Sequence, residues 1–326
     1  MREEKIETLL SYAGNEHRYQ YFALAVFLFL WMNCNFMAVV LPYLERAPLI
    51  KYTDENNILH TNVTLSTAMC GKEYEIIERF GYSWISEFDI ECNKFYIGLI
   101  GVFTFIGNTA GSIAFSIISK FFTHKKILLA SSVGFSLSIL ACTFIYSINY
   151  FYWIFFFLIL VGLFGNCLCY SSLVVCEEMV SSGKRSFFSS IINMGYGLCG
   201  IMYSLIFMYV QNWRYDFYIL VGFSIFLGLI IWLFIYDSPR IYIDNKDIKT
   251  TKKILEGIAA FNGLKEEFLK KIESEECKKL IDEIMEYNYD NGIEMKEINP
   301  DDNNDKNDKK DELINVNNEK SKKIKK

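Results

Sequence analysis

Long apolar stretches alternate with short polar connections through roughly the first 240 residues of this 326-residue chain. Six stretches reach the length that a helix needs to cross a bilayer, which is about 20 apolar residues at a rise of about 1.5 Å each. The pattern therefore predicts an all-α membrane protein with six transmembrane helices. The stretches are approximately Tyr21–Leu41, Phe95–Ser119, Ile127–Ser147, Phe151–Val175, Phe187–Tyr209 and Asp216–Tyr236.

The first stretch has a second interpretation, a cleaved signal peptide. Its apolar core of about 21 residues is longer than the roughly 7–15 residues of a signal peptide. We therefore expect it to be the first transmembrane helix, which ends at Pro42.

Composition divides the chain into further segments. Lys, Glu, Asp and Asn dominate after residue 240, so this part is expected outside the membrane. Thr250–Tyr287 contains few helix-breaking residues and predicts a cytoplasmic helix, whereas the last residues have too little apolar content to fold. The predicted segments are 1–20, a cytoplasmic N-terminus; 21–236, the six-helix bundle with a long polar loop at 42–94; 237–297, a cytoplasmic helical segment; and 298–326, a disordered tail.

Positive charge predicts the orientation of the chain, because Lys and Arg favour the cytoplasmic side of a membrane. The connections on one side carry several cations, whereas the short connections on the other side carry only Arg214. We therefore expect both termini in the cytoplasm. As a separate expectation, this multi-pass protein lies in the plasma membrane. The cations on the cytoplasmic side are Lys120, Lys125, Lys126, Lys184, Arg185 and Arg240.

The polar loop at 42–94 has two features of an extracellular or lumenal segment. Asn62-Val63-Thr64 is a glycosylation sequon, so we expect Asn62 to carry a glycan. Cys70 and Cys92 lie in the same loop and are able to form a disulfide in an oxidising compartment. The sequon and the charge distribution predict the same orientation.

The remaining composition argues against a membrane enzyme. His17, His60 and His124 are the three histidines of the chain, and each lies outside the predicted spans. The spans also lack a nucleophile motif, so we expect no enzyme. We also expect no metal, no cofactor and no nucleic-acid partner. Cys167 and Cys169 lie in the fourth span, where we interpret them as buried small apolar residues.

Glycine recurs in the second and fifth spans, where it permits close contact between helices. Such contact fits either static packing or helices that slide against their neighbours. The small residues concerned are Gly107, Gly111 and Ser112 in the second span, and Gly195, Gly197 and Gly200 in the fifth.

Asparagine occurs on four of the six predicted spans. Intramembrane polar side chains usually face the interior of a bundle or a water-filled cavity. Hydrogen bonding between helices explains each amide singly, and a shared polar cavity explains them together. The amides are Asn33, Asn35, Asn108, Asn166 and Asn193, and Tyr170 and Tyr196 lie nearby.

Acidic and basic side chains are not found clearly within a span, since Asp216 lies at the edge of the sixth. Proton-coupled transport requires a group whose protonation changes between conformations. Any transport by these six spans is therefore expected to be facilitated diffusion or exchange.

A charged turn, Glu177–Arg185, separates the fourth and fifth spans and marks a membrane surface. It contains Glu178-Met179-Val180 followed by Arg185-Ser186. Further motifs are Asn212-Trp213-Arg214, Asp237-Ser238-Pro239-Arg240, Lys253-Ile254-Leu255, Ile258-Ala259, Asn262-Gly263 and the loop end Glu87-Phe88-Asp89-Ile90-Glu91-Cys92. Their combination and spacing, over about residues 20–265, resemble the organic cation/anion transporters of the major facilitator superfamily.

The resemblance implies the amino-terminal six-helix half of a transporter that moves small organic ions by alternating access. It also implies a cytoplasmic gate and a substrate cavity. The gate residues would be Glu178, Arg185, Asp237 and Arg240. The cavity residues would be Asn33, Asn35, Asn108, Tyr170 and Tyr196. For each gate residue, an ordinary solvated charge at the end of a span is the alternative.

Two departures from the family pattern affect these expectations. Lys120 stands where the loop after the second span has an Asp in the family, and Thr123 stands where it has a Gly. The family has twelve spans, so a site built by six spans needs a second six-span half or a homodimer to close it. The expected partners are therefore the lipid bilayer, a small organic ion and this second half. The alternative is a non-transporting membrane protein, either a truncated paralogue or a regulatory or binding fragment.

Overall fold

A computed structural model gives the fold of the chain. It describes residues 2–14, 17–53, 59–64, 75–78, 83–88, 90, 92–146, 151–210 and 212–290. In chain order the elements are α1 (Arg2–Tyr12), α2 (Arg18–Cys34), α3 (Phe36–Leu44), β1 (Leu49–Thr53), β2 (Leu59–Thr64), β3 (Glu75–Glu78), α4 (Trp84–Glu87), α5 (Lys94–Ile118), α6 (His124–Thr143), α7 (Phe151–Glu178), α8 (Ser182–Tyr209), α9 (Trp213–Phe234), α10 (Pro239–Asp244), α11 (Ile248–Phe261), α12 (Lys265–Glu273) and α13 (Glu275–Asp290).

The predicted all-α membrane bundle is confirmed, because six helical segments in the described part of the chain are long and apolar enough to cross a membrane. α2 and α3 together form the first span, and α5 to α9 form the other five. The sixth span begins at Trp213 rather than at Asp216. The reason is Asn212, whose side chain accepts a hydrogen bond from Arg214 N at 3.0 Å and caps the helix before its apolar stretch begins.

The first span is interrupted at Asn35, between α2 and α3. The Asn35 side chain donates from Nδ2 to Trp31 O at 2.8 Å. Such local bonds to the backbone compete with the regular hydrogen bonds of a helix. The whole span runs from Arg18 to Leu44, so the interruption lies within the membrane rather than at its surface.

α5 and α7 approach closely because both carry glycine where they meet. A methyl group added to Gly111 would lie 2.5 Å from Leu163 O, and one added to Gly162 would lie 2.5 Å from Thr104 O. A methyl group on Gly107 would overlap the Ile159 carbonyl. These glycines therefore allow the two helices to pack in close contact.

One end of the bundle carries a small antiparallel sheet in the loop that the sequence indicated only as polar. The strand order is β2-β1-β3, and β1 pairs with both neighbours. Its Ile50 is fully buried. We call this end, with β1 to β3 and α4, the sheet end.

The opposite end carries α1 and α10 to α13, and we call it the helical end. The single helix predicted over Thr250–Tyr287 is wrong, because the chain forms α11, α12 and α13 there. Gly263, with φ +75°, follows the end of α11. Ser274 separates α12 from α13, and its hydroxyl accepts a hydrogen bond from Cys277 N. The tail predicted at 298–326 lies outside the described residues.

The helical end has an apolar core of its own, joined to that of the bundle. α1 buries one face, whose members recur at intervals of three and four residues. These are Ile6, Leu9, Leu10 and Ala13. They belong to the same hydrophobic cluster as Phe268, Ile272, Cys277, Ile281 and Ile284 of α12 and α13. The residues predicted as a polar N-terminus thus begin with a packed helix.

Candidate functional site

A small polar cavity lies inside the bundle, beside the interruption in the first span. Its volume is about 50 Å³, and α2, α3, α5 and α7 line it. Hydrogen-bonding groups come from Asn35, Thr104, Asn108 and Asn166. The other lining residues are Cys34, Met37, Ala38, Val161, Gly162, Gly165 and Cys169. None of these side chains carries a charge, so the cavity is suited to hydrogen bonding rather than to ion pairing.

Asn166 connects the two walls of this cavity. Its side chain donates from Nδ2 to the backbone oxygen of Asn108 and, at 2.7 Å, to Ser112 Oγ. The glycine contacts between α5 and α7 bring these groups within reach. The sequence indicated Asn166 as an intramembrane amide and Ser112 as a packing residue, but it gave no sign that they are bonded to each other.

Cys34 and Cys169 form a disulfide at the edge of the cavity, with their Cα atoms 6.4 Å apart. The interpretation of Cys169 as a small apolar residue is therefore wrong. The sequence could not show this pairing, because the two cysteines are 135 residues apart. Cys167 is a buried thiol, and its S–H donates to Gly111 O at 3.3 Å.

Of the five residues predicted for a substrate cavity, two line the cavity and three lie elsewhere. Asn35 and Asn108 line the cavity. Asn33 is fully buried, and within the described part of the chain neither atom of its amide has a hydrogen-bond partner. Tyr170 and Tyr196 lie outside the cavity on the bundle surface, with 39% and 51% of their area exposed.

The predicted gate residues lie at the helical end, in separate contacts. Glu178 Oε1 is 3.7 Å from His124 Nε2, and Arg185 Nη2 is 3.7 Å from Glu7 Oε1. Glu7 also accepts a hydrogen bond at 2.8 Å from the backbone N–H of Ser182, the first residue of α8. The sequence missed Glu7, because α1 was expected to be only a polar terminus. A gating role for Glu178 and Arg185 stays a prediction.

Asp237 and Arg240 lie where α9 continues into α10. Asp237 accepts hydrogen bonds from Ser238 N at 3.0 Å and from the Tyr242 hydroxyl at 3.2 Å. Burial and the Asp237 carboxylate raise the pKa of Tyr242, so its hydroxyl remains a donor. Arg240 is half-buried in the first turn of α10. A gating role for these two residues also stays a prediction.

Asn262 joins the helical end to the first span. Its Oδ1 accepts from Tyr19 N at 2.8 Å, and its Nδ2 donates to Ala13 O at 3.0 Å. The Tyr19 hydroxyl in turn accepts from Tyr236 N at 2.9 Å. Asn262 thus holds together the end of α1, the start of α2 and the end of α11.

The sheet end contains a denser polar contact, centred on Arg214. Its guanidinium pairs with Glu87 of α4 and donates to the backbone oxygens of Thr143 and Ile145. Glu87 also accepts from Trp213 Nε1. We call the contact of Glu87 with Trp213 and Arg214 the clasp. The motifs that contain Glu87 and Arg214 were both recognised in the sequence. Their pairing was not predicted, because the two residues are 127 positions apart.

Asp216 requires a correction to the expectation that the spans hold no buried acid. Because α9 begins at Trp213, Asp216 lies one turn inside the helix rather than at its edge. It is fully buried, and neither carboxylate oxygen has a hydrogen-bond partner among the described residues.

The predicted covalent modifications fall in the sheet end. Asn62 is exposed in β2 and has φ +59°, so its side chain is accessible, and glycosylation stays a prediction. Cys70 lies outside the described residues, so its pairing with Cys92 also stays a prediction.

Among the described residues, six helices are able to span a membrane and three of these spans line the polar cavity, as in an integral multi-pass membrane protein. The sequence matches the family model described as sugar (and other) transporter over residues 23–291, and the chain belongs to that family. This match confirms membership of the major facilitator superfamily. No curated protein matches the chain.

Proposed function

We propose that this chain moves a small polar organic solute across the plasma membrane by alternating access, as a facilitator. The cavity beside Asn35 supports this proposal most directly. Interrupted spans and polar cavities near mid-depth are where transporters of this kind bind their substrates. The cavity is small in this conformation, so binding would widen it by moving α2 and α3 against α5 and α7.

The lining of the cavity favours an uncharged, hydroxyl-rich solute. Asn35, Asn108 and Asn166 offer amide donors and acceptors, and no lining side chain offers a counter-charge. The family description, sugar (and other) transporter, agrees with such a solute. An organic cation is the second candidate, because exposed Tyr170 stacks on Phe115 at 5.9 Å and presents an aromatic face that attracts cations.

The orientation in this proposal places the helical end in the cytoplasm and the sheet end outside. The cations after the second, fourth and sixth spans support it through the preference of Lys and Arg for the cytoplasmic side. The exposed sequon at Asn62 then lies where glycosylation occurs. A mass shift on glycosidase treatment of the native protein, with a C-terminus that external protease cannot reach, would support this orientation.

We further propose that a second copy of this chain covers the exposed faces of α5 and α8. Only 22% of the most apolar stretch is buried in each of these helices, against 56% in α6 and in α7. α8 exposes small and polar groups that lipid tails would solvate poorly. They recur every three or four residues on one face, as Ser186, Ser190, Asn193, Gly197, Gly200 and Ser204.

The test of this interface uses two open glycines. A methyl group on Gly197 or on Gly222 would meet no atom within 4 Å, so both positions point into open space in the bundle. Gly197→Leu should reduce dimer formation and uptake, whereas Gly222→Leu on α9 should change neither. A monomeric chain that transports at the normal rate would refute the interface and leave the transport proposal intact. A different protein co-purifying on this face would also refute it.

Transport itself is tested by uptake into proteoliposomes that contain only this chain, with a neutral hexose and tetraethylammonium as probes. Saturable hexose uptake is expected, and Asn166→Ala should reduce it about tenfold or more because the cavity loses its connecting amide. Ser171→Ala is the matched control, since Ser171 is buried on the same helix and bonds to its own turn at Cys167 O. Folded protein without uptake of either probe would favour a non-transporting membrane protein.

A further inference from the structure

Asp216 suggests a control of the sheet end by protons. We propose that Asp216 is a proton-binding site: its carboxyl holds a proton while the clasp is closed and releases that proton to water when the sheet end opens. The inference rests on the proposed function only in that alternating access requires the sheet end to open, so that the sheet end acts as the outer gate.

The surroundings of the Asp216 carboxyl disfavour its charged form. Asp216 belongs to the buried face of α9, together with Trp213, Phe217 and Leu220, and it is fully buried. Its two oxygens accept no hydrogen bond from any residue that the structure describes. An ionised carboxylate without solvent, donor or counter-charge is strongly disfavoured, and binding a proton removes that charge.

The ionisable groups near this end of α9 do not provide a counter-charge for Asp216. Glu87 of α4 contacts Trp213 and Arg214, and the ring of Tyr146 lies 4.0 Å from the guanidinium carbon of Arg214. Cys142 precedes Thr143, whose backbone oxygen binds Arg214, and α8 contributes Tyr203 and Cys199. Arg214 is paired with Glu87, and so it is not available as a counter-charge for Asp216. Tyr203 lies within electrostatic range of Asp216 and carries no positive charge. The amino end of α9 favours a nearby anion, but only as a partial charge that cannot replace solvation.

The packing of α4 on α9 connects the proton on Asp216 to the opening of the sheet end. Trp84 of α4 packs against Trp213 and Phe217, with ring centroids 5.6 Å and 6.0 Å apart. Both of these residues are neighbours of Asp216 on α9, and Glu87 holds α4 in place. If the clasp opens and α4 moves away, water reaches the carboxyl. The carboxylic O–H then breaks, its electron pair stays on the carboxylate, and the proton passes to water.

Proton binding at Asp216 and closure of the sheet end are thermodynamically linked. A proton that binds the closed state more tightly than the open state stabilises the closed state. Acid outside the sheet end should therefore keep it closed, and alkaline medium should favour opening. Asp216 does not line the cavity beside Asn35, so its proton acts on the gate and does not travel with the solute.

The test measures the opening of the sheet end without any solute. The purified full chain in lipid nanodiscs is examined by hydrogen exchange of peptides covering α4 and the first turn of α9. Exchange is corrected for the intrinsic rates at about pH 5.5 and about pH 8. Wild-type opening should increase with pH, by up to about tenfold for each unit above the pKa of the water-exposed carboxyl in the open state, until the carboxyl of the closed state titrates as well. Asp216→Asn, which resembles the protonated acid, should remain closed at both pH values.

Glu45 provides the matched control and the competing explanation. It follows α3 at the same end of the bundle, and burial raises the pKa of its carboxyl. Glu45→Gln should keep the wild-type response to pH. Loss of the response in Glu45→Gln, its persistence in Asp216→Asn, or its absence in wild type would each overturn the proposal.

A second measurement covers the case that Asp216→Asn does not fold. Infrared spectra of the wild-type chain and of Glu45→Gln should both show a carboxylic C=O band at neutral pH, because a protonated Asp216 remains in each. Absence of that band from both would also overturn the proposal. Neither measurement needs transport, so the proton site and the transport function can fail independently.

Discussion

The two ends of the bundle are joined by contacts of different strength. At the sheet end, the Arg214 side chain is 11% exposed, pairs with Glu87 and also binds two backbone oxygens. At the helical end, the Arg185 side chain is 31% exposed and lies 3.7 Å from Glu7. Ion pairs strengthen as water is excluded from them and weaken where water screens them. We therefore infer that breaking the Arg214 contact costs more than breaking the contact between Arg185 and Glu7, and we predict that the helical end opens more readily than the sheet end.

The largest effect is expected from breaking the clasp. Arg214→Ala removes the counter-charge of Glu87, which keeps its hydrogen bond from Trp213 Nε1, and it removes the donor to two backbone oxygens. Breaking a buried pair costs about 3 kcal/mol or more. The free energy of unfolding should fall by about that amount in a denaturation series. The control is Lys51→Ala, which breaks the exposed pair with Glu75 at the same end and should cost less than about 1 kcal/mol. Equal effects of the two variants would remove the distinction between a buried and an exposed contact.

A smaller effect is expected from Asn262→Ala at the helical end. The variant loses two hydrogen bonds to backbone groups, each of which contributes about 1 kcal/mol. α1 and α11 should then exchange their amide hydrogens faster, while the sheet end stays unchanged. Ser11→Ala serves as the control, because its exposed hydroxyl donates to Thr8 O of its own helix, α1, at 2.7 Å. Faster exchange at the sheet end would show that the two ends are not independent.

Substitution of Glu7 should lower the stability of the protein by less than Asn262→Ala does. Glu7→Ala removes the acceptor for Ser182 N and the partner of Arg185, at a cost of about 1 kcal/mol. Glu7→Gln keeps an oxygen acceptor and should recover roughly half of that loss. Thermal unfolding in detergent measures the difference. Identical stability of the two variants would mean that the acceptor at the start of α8 contributes nothing.

The smallest expected effect is the response of the helical end to acid. Lys5 Nζ lies 2.9 Å from Glu283 Oε2, and this hydrogen bond lowers the pKa of Glu283 below its ordinary value of 4.5. The pair should therefore contribute its full, small stabilisation above that value and lose it as the pH falls through the lowered pKa. Exchange of α1 should rise over that range in wild type but not in Lys5→Ala. A rise of equal size in Lys5→Ala would contradict the assignment.

The glycines show how far the sequence could predict the fold. Gly107 and Gly197 look equivalent in the sequence, each with small neighbours in an apolar helix. In the fold, a methyl group on Gly107 would overlap Ile159, whereas one on Gly197 would meet nothing within 4 Å. Hydrophobic patterning identified the six spans because it is a local property. It could not predict which face of each helix meets a partner.

The candidate site was predictable only in part, for the same reason. The amides of Asn35 and Asn108 were recognisable because polar groups are rare in apolar spans. Their association with Asn166 and with the Cys34–Cys169 disulfide depends on contacts between residues far apart in the chain. The burial of Asp216 was missed because the cap at Asn212 starts α9 earlier than its apolar stretch suggests.

The most direct test of alternating access with unequal ends is the accessibility of the cavity from each side. Asn108→Cys places a thiol in the cavity, and a membrane-impermeant thiol reagent is applied to either face of oriented proteoliposomes. Without solute, modification should be much faster from the helical end than from the sheet end. Arg214→Ala should increase the rate from the sheet end. Equal rates from both faces of the wild-type bundle, or faster modification through the sheet end, would contradict the account.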